Sequence, residues 1–301
     1  AIHSMIELLS TGGARRPALD VLESLVSEET LPYYFAALES RDPSVGNGIA
    51  EVLAKSRRYD PVQLLDLFSN PAVPKARIEA ILSEQMEKLP PRLLITLLAD
   101  VGKEARSVLF RLIEQHKDRS IVPQVVSRLN HPDWWVRQHM IRLVGDFEAV
   151  EGVPGVIEQL DDENKSVRLE AARVLGILKS TEAIPALCRR LVDEDLKVRT
   201  AVIDALTAIH DTSMVPHLVA VLKNESEHAR RGAVEVLNEV VTPDAVKDLV
   251  SALRDEDWWV RVRAADALGS LGGDRVVDAV VGLLDDPDDF VRRYAVEILN
   301  T

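Results

Sequence analysis

Residues 253–269, LRDEDWWVRVRAADALG, decide how this chain is organised, because parts of the stretch recur at a fixed distance. Its centre, residues 255–261 (DEDWWVR), returns as residues 131–137 (HPDWWVR), and the two copies hold all four tryptophans of the 301 residues. Val136 and Val260 lie 124 residues apart, which is four times 31. A fixed period between about 20 and 50 residues indicates an array of repeats rather than one globular core.

Steps of 31 residues find the same pair, a small apolar residue followed by arginine, along most of the chain. The pairs are Ala105-Arg106, Val136-Arg137, Val167-Arg168, Val198-Arg199, Ala229-Arg230, Val260-Arg261 and Val291-Arg292. Toward the N-terminus the register continues through Pro74-Lys75, Val45-Gly46 and Ala14-Arg15, with one step of 29 residues between Val45 and Pro74. Because Pro61 keeps its distance to Pro74, the two missing residues fall between Gly46 and Asp60.

Each period is predicted to hold two short helices that stack on their neighbours. A proline thirteen residues before the pair marks the start of the first helix, where its missing N–H costs nothing. Asp, Asn or Ser three residues before the pair is the expected N-cap of the second helix. Leucine stands seven residues before the pair nine times, and we expect it in the core. We expect the second helices to end, with left-handed cap residues, near Gly145, Gly176, Asn238, Gly269 and Asn300.

The consensus Leu-x-Asp-x-Asp-x-x-Val-Arg-x-x-Ala-Ala-x-x-Leu-Gly resembles HEAT repeats, and more closely the short bacterial subclass first associated with phycobilin lyases. The resemblance covers about residues 15–301 and implies an all-α, right-handed α-solenoid of about ten repeats, armadillo-like, with second helices on the concave face. We expect one solenoid, divergent over residues 1–117 and regular over 118–301, in a bacterial cytoplasmic protein.

The resemblance also implies a ladder of hydrogen bonds between motif arginines and aspartates of neighbouring repeats. The residues carried over to that role are Arg137, Arg168, Arg199, Arg230, Arg261, Arg292, Asp162, Asp193, Asp255 and Asp286. The ladder is broken at Gly46, and His131 and Asn224 replace the acid, so those repeats should be less rigid. The alternative to a structural ladder is that these motif arginines form a stripe that binds anions.

Composition argues against an enzyme and against a bound metal or cofactor. The chain has one cysteine, Cys188, which excludes an internal disulfide. HEAT proteins that hydroxylate deoxyhypusine hold iron through His-Glu pairs, and none of the seven histidines here is followed by glutamate. Gly-x-Ser-x-Gly and phosphate-loop motifs are missing from the sequence, as are an apolar run long enough to insert into a membrane and a signal peptide.

Charge disfavours nucleic acid as a partner. The net charge is −13, and residues 151–301 hold 18 Lys and Arg against 29 Asp and Glu. Many of these acids fall in the turns between paired helices, so stacking predicts an acidic ridge that would repel phosphate.

Six residues after each motif valine, the predicted concave face carries Arg111, Arg142 and Arg173, followed by four acids. Gln138 and His139 lie beside the arginines. A stripe that changes sign suits a protein or peptide partner of complementary charge; the alternative is a merely solvated face.

The tryptophans give a second candidate surface. Trp135, Trp259 and Phe290 directly precede the Val-Arg pair on the acidic edge, and Trp134 and Trp258 point about 100° away from their neighbours. The rings either cover a side chain of the adjacent repeat or bind a partner.

The predicted function is therefore a non-enzymatic scaffold or regulatory domain that binds a protein or peptide partner; a bilin lyase subunit or chaperone for phycobiliprotein chromophore attachment is the alternative. The last helix keeps the apolar pattern of internal repeats, so we expect either further domains in the same chain or end-to-end association.

Overall fold

A computed structural model describes residues 2–98 and 100–300, which fall into two compact units divided between Gln124 and Val125. Across these described residues the regular secondary structure is entirely helical. Thr301, the last residue of the sequence, lies outside them. The predicted all-α class is confirmed.

The N-terminal unit is built from α-helices joined by short 3₁₀ segments. Its α-helices are α1 (Ile2–Glu7), α2 (Arg15–Leu25), α3 (Leu31–Leu38), α4 (Pro43–Lys55), α5 (Lys75–Glu84), α6 (Pro91–Leu97) and α7 (Lys103–His116). Its 3₁₀ helices are Leu8–Ser10, Pro61–Ser69, Met86–Lys88 and Arg119–Ile121. Helix α2 packs on α4, and α4 packs on α5.

The C-terminal unit repeats one helical pair. Helix α8 (Val122–Ser127) contains the boundary between the units. The helices that follow are α9 (Trp134–Asp146), α10 (Val153–Glu158), α11 (Lys165–Ile177), α12 (Ile184–Arg190), α13 (Leu196–Ile209), α14 (Val215–Val221), α15 (Glu227–Val240), α16 (Val246–Ala252), α17 (Trp258–Leu271), α18 (Asp274–Val281) and α19 (Asp289–Leu299). The 3₁₀ helices between them are Val150–Gly152, Gln159–Asp161, Thr181–Ala183, Thr212–Met214 and Pro243–Ala245.

Contacts in the C-terminal unit run from each repeat to the next, as in an α-solenoid. Every second helix packs on the following second helix, from α9 through α11, α13, α15 and α17 to α19. The first helices α12 and α14 contact each other, as do α16 and α18. Helices this short are marginal alone, so this stacking supplies most of their stability.

The predicted helix starts are confirmed. Pro32, Pro154, Pro185 and Pro216 stand in the first turn of α3, α10, α12 and α14, whereas Pro61 begins a 3₁₀ helix. Each predicted N-cap accepts a backbone N–H of its second helix through its side chain: Asp42, Asp133, Asn164, Asp195, Ser226, Asp257 and Asp288.

The leucines seven residues before the motif pair are buried in most repeats, but not in all nine. Six members are buried: Leu38, Leu98, Leu129, Leu160, Leu191 and Leu253. Leu67 and Leu222 are half-buried, and the buried Phe68 follows Leu67. The prediction is wrong at Leu284, which is 38% exposed, because it lies on the last described repeat and no described helix covers that side.

The predicted helix ends lie within two residues of the observed ones, but the left-handed conformation predicted for these residues is wrong. Gly145 and Gly176 lie inside α9 and α11, and the left-handed residues are Lys117, Glu148, Lys179 and His210, again at 31-residue steps. Asn238 and Gly269 likewise lie inside helices, and Asn300 caps α19 with right-handed torsion angles. The glycine at 176 serves packing, because a Cβ there would stand 2.8 Å from the Cα of Ala205 on α13.

The shortened connection lies where the 29-residue step places it, between the end of α4 at Lys55 and the 3₁₀ helix that begins at Pro61. The buried amide of Gln85 closes this region by donating to the carbonyls of Leu53, Ala54 and Ser56. Those carbonyls are left open at the C-terminal end of α4, so a side chain from the next repeat caps it.

Candidate protein-binding surface

The motif arginines of the C-terminal unit form what we call rungs, each made of an arginine, two turn carbonyls of its own repeat and an aspartate of the next repeat. In the rung of Arg168, Nη1 donates to the carbonyls of Asp162 and Glu163. Nε and Nη2 of Arg168 donate to the two carboxylate oxygens of Asp193 at 2.7 and 3.0 Å. The same geometry joins Arg137 to Asp162 and Arg230 to Asp255.

The rungs are buried, so these arginines serve the fold. The side chain of Arg168 is 7% exposed and that of Asp193 is 1% exposed. The hydrogen bonds that Arg168 donates to Asp193 raise the pKa of Arg168 above its ordinary value. Burial alone would raise the pKa of Asp193, but hydrogen bonds from Arg168 and the backbone of Asp195 outweigh it and hold that pKa below its usual range. A bidentate pair of this kind is directional and strong.

Three expected rungs differ from this geometry. Arg199 donates to the carbonyls of Asp193 and Glu194, and the acid position of the next repeat holds Asn224. The pairing carried over for Arg261 and Asp286 is corrected: Asp286 accepts from Arg254, and the buried Nε of Arg261 has no hydrogen-bond partner.

The guanidinium of Arg261 lies 5.3 Å from the ring centre of Phe290 in the next repeat, so a cation–π contact replaces the ion pair. Arg292 pairs with Asp289 of its own helix and donates to the carbonyl of Asp286.

At Gly46 the structure supplies a donor that the repeat register does not predict. Arg77 of the next repeat donates through Nη1 to the carbonyls of Leu38 and Ser40, at 2.7 and 3.0 Å, and through Nε to Asn47. A Cβ at Gly46 would stand 2.2 Å from the guanidinium carbon of Arg77. The ladder is therefore not open at Gly46, since an arginine from the following repeat occupies the place, and the glycine makes room for it.

A second set of arginines lies on the exposed face of α9 and α11. The side chain of Arg173 is 59% exposed and that of Arg142 is 52% exposed. Arg173 lies 3.6 Å from Glu170, and Arg142 lies 3.9 Å from Asp146. These are long i,i+3 and i,i+4 contacts on one helix, which contribute little to stability.

Glu170 sits at the centre of this group, which we call the α9–α11 cluster: Gln138, His139, Arg142, Asp146, Glu170 and Arg173. Burial raises the pKa of Glu170; Arg173, Arg142 and a hydrogen bond from Gln138 oppose the rise, and Asp146 adds to it. Burial raises the pKa of Asp146 as well, and the positive charge of Arg142 opposes that rise. Sequence analysis missed both acids, although their spacing of three and four residues from the arginines was a visible signal.

His139 joins the cluster to the tryptophan edge. Its ring stacks on Trp135 with centroids 3.6 Å apart, and its Nδ1 lies 2.8 Å from the carbonyl of Trp135. Burial lowers the pKa of His139, the backbone contact to Trp135 opposes that change, and Arg142 adds to it. Next to this half-buried stack, Trp134 is exposed.

Arg111, the third arginine of the predicted stripe, belongs to the N-terminal unit. It is exposed on α7 and pairs with Glu79 of α5, with Nη2 2.8 Å from the carboxylate. Arg142 and Arg173 lie in the C-terminal unit on successive second helices. The cluster described above therefore contains two of the three predicted arginines.

The second aromatic group contains Trp258, Trp259 and Phe290. The two tryptophan rings meet edge to face at 5.4 Å, and Arg263 of the same helix lies over Trp259. Trp258 and Phe290 are exposed. Phe290 covers Arg261 of the preceding repeat, Trp135 stacks on His139, and Arg263 lies over Trp259.

The acidic turns divide into two kinds of carboxylate. Asp162, Asp193 and Asp255 are occupied by the rungs. The glutamate that directly follows each of these aspartates stays largely exposed: Glu163, Glu194 and Glu256. The expected ridge therefore exposes one glutamate in each of these turns.

No group of three or more His, Cys, Asp or Glu among the described residues is placed to hold a metal ion. No helix in the described part of the chain is long and apolar enough to cross a membrane.

Stacked helical pairs joined by rungs define an α-helical repeat protein. Residues 153–238 and 215–300 match the family described as HEAT repeats, and this part of the chain consists of HEAT repeats. No curated protein matches the chain.

Several solved structures are similar. An engineered protein is 18% identical, with 99% of this chain and 98% of that chain covered and a TM-score of 0.49. The complex of CpcE and CpcF of phycocyanin lyase from Nostoc sp. PCC7120 is 22% identical, with 70% and 94% covered and a TM-score of 0.40. A designed armadillo repeat protein in complex with the peptide (KR)4 is 20% identical, with 60% and 98% covered and a TM-score of 0.37.

Proposed function

We propose that this chain is a non-enzymatic scaffold that binds an acidic protein or peptide segment on the α9–α11 cluster and the adjoining Trp134–Trp135 edge. The observation that carries the proposal is the contrast between two arginine columns on the same helices. Arg137 and Arg168 are buried in rungs, whereas the side chains of Arg142 and Arg173 are more than half exposed. An exposed guanidinium can reach the carboxylate of a partner.

The surroundings of Arg142 and Arg173 suit a carboxylate-bearing segment. Guanidinium groups bind carboxylates in bidentate geometry and can exchange the long contacts to Asp146 and Glu170 for shorter ones. The Trp135–His139 stack provides a flat apolar surface next to them, and binding energy concentrates where aromatic rings and arginines lie together. The acids nearby would disfavour nucleic acid.

The test uses the fluorescence of the tryptophans, two of which border the cluster. We would titrate the chain with a ten-residue glutamate-rich peptide and a lysine-rich peptide of equal length. We expect a saturable change with the acidic peptide only, weakened by salt. The double reversal Arg142→Glu and Arg173→Glu should abolish it while the helical circular dichroism stays intact; adding Arg111→Glu tests whether the N-terminal unit takes part.

The matched control reverses two exposed arginines on first helices, Arg189→Glu and Arg275→Glu, with the same change in net charge. Equal loss of binding in both double variants would mean that overall charge, not the cluster, attracts the peptide. Unchanged binding after reversal of Arg142 and Arg173 would refute the proposed site.

The second candidate, a bilin lyase subunit or chaperone, rests on the resemblance to one HEAT subclass. A covalent bilin intermediate would need an accessible thiol. Cys188 is buried on α12, and burial raises its pKa to about 12, so the thiol is not poised as a nucleophile. No contact within the described residues favours this candidate over protein binding.

A further inference from the structure

Three large apolar side chains, which we call the apolar row, are exposed at the same position of every second repeat. Trp134, Leu196 and Trp258 each begin a second helix, at steps of 62 residues. Their exposed fractions are 43%, 67% and 58%. The repeats between them hold Lys165 and Glu227 at this position. Helices α9, α13 and α17 each pack against a following second helix, so this exposure is a property of internal repeats.

A row of glutamates runs along the same edge, one in each turn before α11, α13, α15 and α17. This glutamate row consists of Glu163, Glu194, Glu225 and Glu256, at steps of 31 residues. Three of these side chains are 82–90% exposed, and the fourth, that of Glu225, is exposed as well.

The charge of the whole edge is negative. Eleven Asp and Glu stand against two Lys in its five turns, residues 131–135, 162–166, 193–197, 224–228 and 255–259. One of the two lysines, Lys165, pairs with Asp195 at 2.9 Å. The edge therefore presents large apolar side chains together with unneutralised carboxylates, and this combination fits a partner that is both apolar and basic.

The backbone of the edge favours a helical partner over an extended one. An extended segment gains affinity by pairing its backbone with the edge of a sheet, and the regular structure of the described residues is entirely helical. Asp133, Asp195 and Asp257 already accept N–H groups at the starts of α9, α13 and α17. A partner must therefore bind through side chains and pair its own N–H and C=O groups, as an α-helix does.

The spacing of the apolar row fits the same kind of partner. Packed helices stand about 8–10 Å apart, so two steps separate neighbouring members of the row by about 16–20 Å. An α-helix rises about 1.5 Å per residue, so this distance corresponds to about 11–13 residues. A step of about 11 residues is close to three turns and returns a side chain to the same face. A helix of about 23 residues would reach all three members.

We propose that the apolar row and the glutamate row together bind a basic amphipathic helix of another protein. Its large apolar residues contact Trp134, Leu196 and Trp258, and its Lys and Arg side chains lie against the glutamates. The longest helices among the described residues have 14 residues, and the chain has a net charge of −13, so a second copy fits neither the length nor the sign. Trp134 also borders the α9–α11 cluster, but the proposal does not depend on the proposed function.

The test measures the binding of a dye-labelled peptide to the full chain by fluorescence anisotropy. The peptide has about 25 residues of lysine and alanine, with leucine at three positions about 11 residues apart. We expect saturable binding that weakens with salt. Leu196→Ala with Trp258→Ala should lower the affinity at least about tenfold, because binding energy concentrates in large anchors. Glu194→Gln with Glu225→Gln should lower it about threefold and reduce the salt dependence.

The matched control changes two equally exposed apolar residues at the opposite end of the second helices. Ile177 and Val150 are 63% and 68% exposed, and Ile177→Ala with Val150→Ala should leave the affinity within about twofold of the parent. Two altered peptides control the ligand: one carries alanine in place of the three leucines, and the other carries a central proline, which a helix interior does not tolerate. Both should bind at least about tenfold more weakly.

Three outcomes would overturn the proposal. The first is a Leu196→Ala and Trp258→Ala variant that binds as tightly as the parent chain. The second is an alanine peptide that binds as tightly as the leucine peptide, which would mean that charge alone attracts it. The third is a proline peptide that binds equally well, which would mean that the occupant is extended.

The variants of the proposed function separate the two hypotheses. Arg142→Glu with Arg173→Glu should abolish binding of the acidic peptide and leave binding of the basic helix intact, because neither arginine belongs to the two rows. A loss of basic-helix binding in that variant alone would assign the peptide to the α9–α11 cluster and overturn the proposal. Circular dichroism checks that every variant keeps its helical content.

Discussion

The two units secure the turn between paired helices in different ways. In the three complete rungs of the C-terminal unit, the motif arginine reaches back to the turn of its own repeat and forward to the acid of the next repeat. In the N-terminal unit, at Gly46, Arg77 reaches back from the following repeat to the same kind of carbonyl. The common requirement is a guanidinium over the turn carbonyls, because carbonyl groups in a packed turn need donors. The guanidinium can come from the same repeat, as in the rungs, or from the following repeat, as with Arg77.

The largest expected effect breaks a complete rung. Arg168→Leu removes the bidentate partner of the buried Asp193, leaves Arg190 at 3.7 Å as its remaining cation, and leaves two carbonyls without their arginine donor. It should lower the free energy of unfolding by about 3–5 kcal/mol. Arg199→Leu is the matched control, because its acid position holds Asn224; it should cost about 1–2 kcal/mol. Urea unfolding followed by circular dichroism measures both. Equal losses would show that the carboxylate adds nothing to a rung.

The second prediction concerns the substitute at Gly46. Gly46→Ala should cost about 1–3 kcal/mol, because the added methyl group displaces the guanidinium of Arg77 from its carbonyls. In an Arg77→Ala background the same change should stabilise by up to about 1 kcal/mol, since alanine is the better helix former. Only Arg77 atoms lie near a Cβ added at Gly46, so a change from destabilising to stabilising between the two backgrounds would come from Arg77. A cost that stays the same in both backgrounds would contradict the assignment.

The register predicted most helix starts and the N-caps because these depend on residues close in sequence. Arg77 was missed because its role depends on a contact across two repeats at the one irregular step. Gly145 and Gly176 were misread for a related reason: a glycine that allows close helix packing and one that allows a left-handed cap look alike in a sequence. Glu170 was overlooked although its spacing to Arg173 was visible, since burial decides its role.

The third prediction repairs an incomplete rung. Asn224→Asp places a carboxylate 25 residues after Arg199, where the complete rungs have one, and should raise the free energy of unfolding by about 0.5–1.5 kcal/mol. The side chain of Asn224 already accepts the N–H of Ser226, and aspartate can keep that bond. The gain should vanish in an Arg199→Leu background. A gain that survives there would come from the acid itself rather than from the rung.

The smallest expected effect separates carboxylates held by a rung from those of the exposed face, through the pH dependence of stability. Burial raises the pKa of Glu170, so the folded state binds a proton more tightly than the unfolded state, and the ionised group costs stability at neutral pH. Glu170→Gln should therefore stabilise the chain at pH 7 by less than about 1 kcal/mol. The stability that Glu170→Gln gains over the parent chain should shrink as the pH falls through the raised pKa toward the ordinary glutamate value.

Asp193→Asn is the control of opposite sign. Because the pKa of Asp193 is lowered, the stabilising contribution of the Asp193 carboxylate is complete above the ordinary aspartate pKa of about 3.9 and is lost only below it. Urea midpoints between pH 3 and pH 7 measure both differences. A loss of stability from Glu170→Gln at pH 7 would mean that the attraction of Arg142 and Arg173 for the Glu170 carboxylate outweighs the cost of its burial.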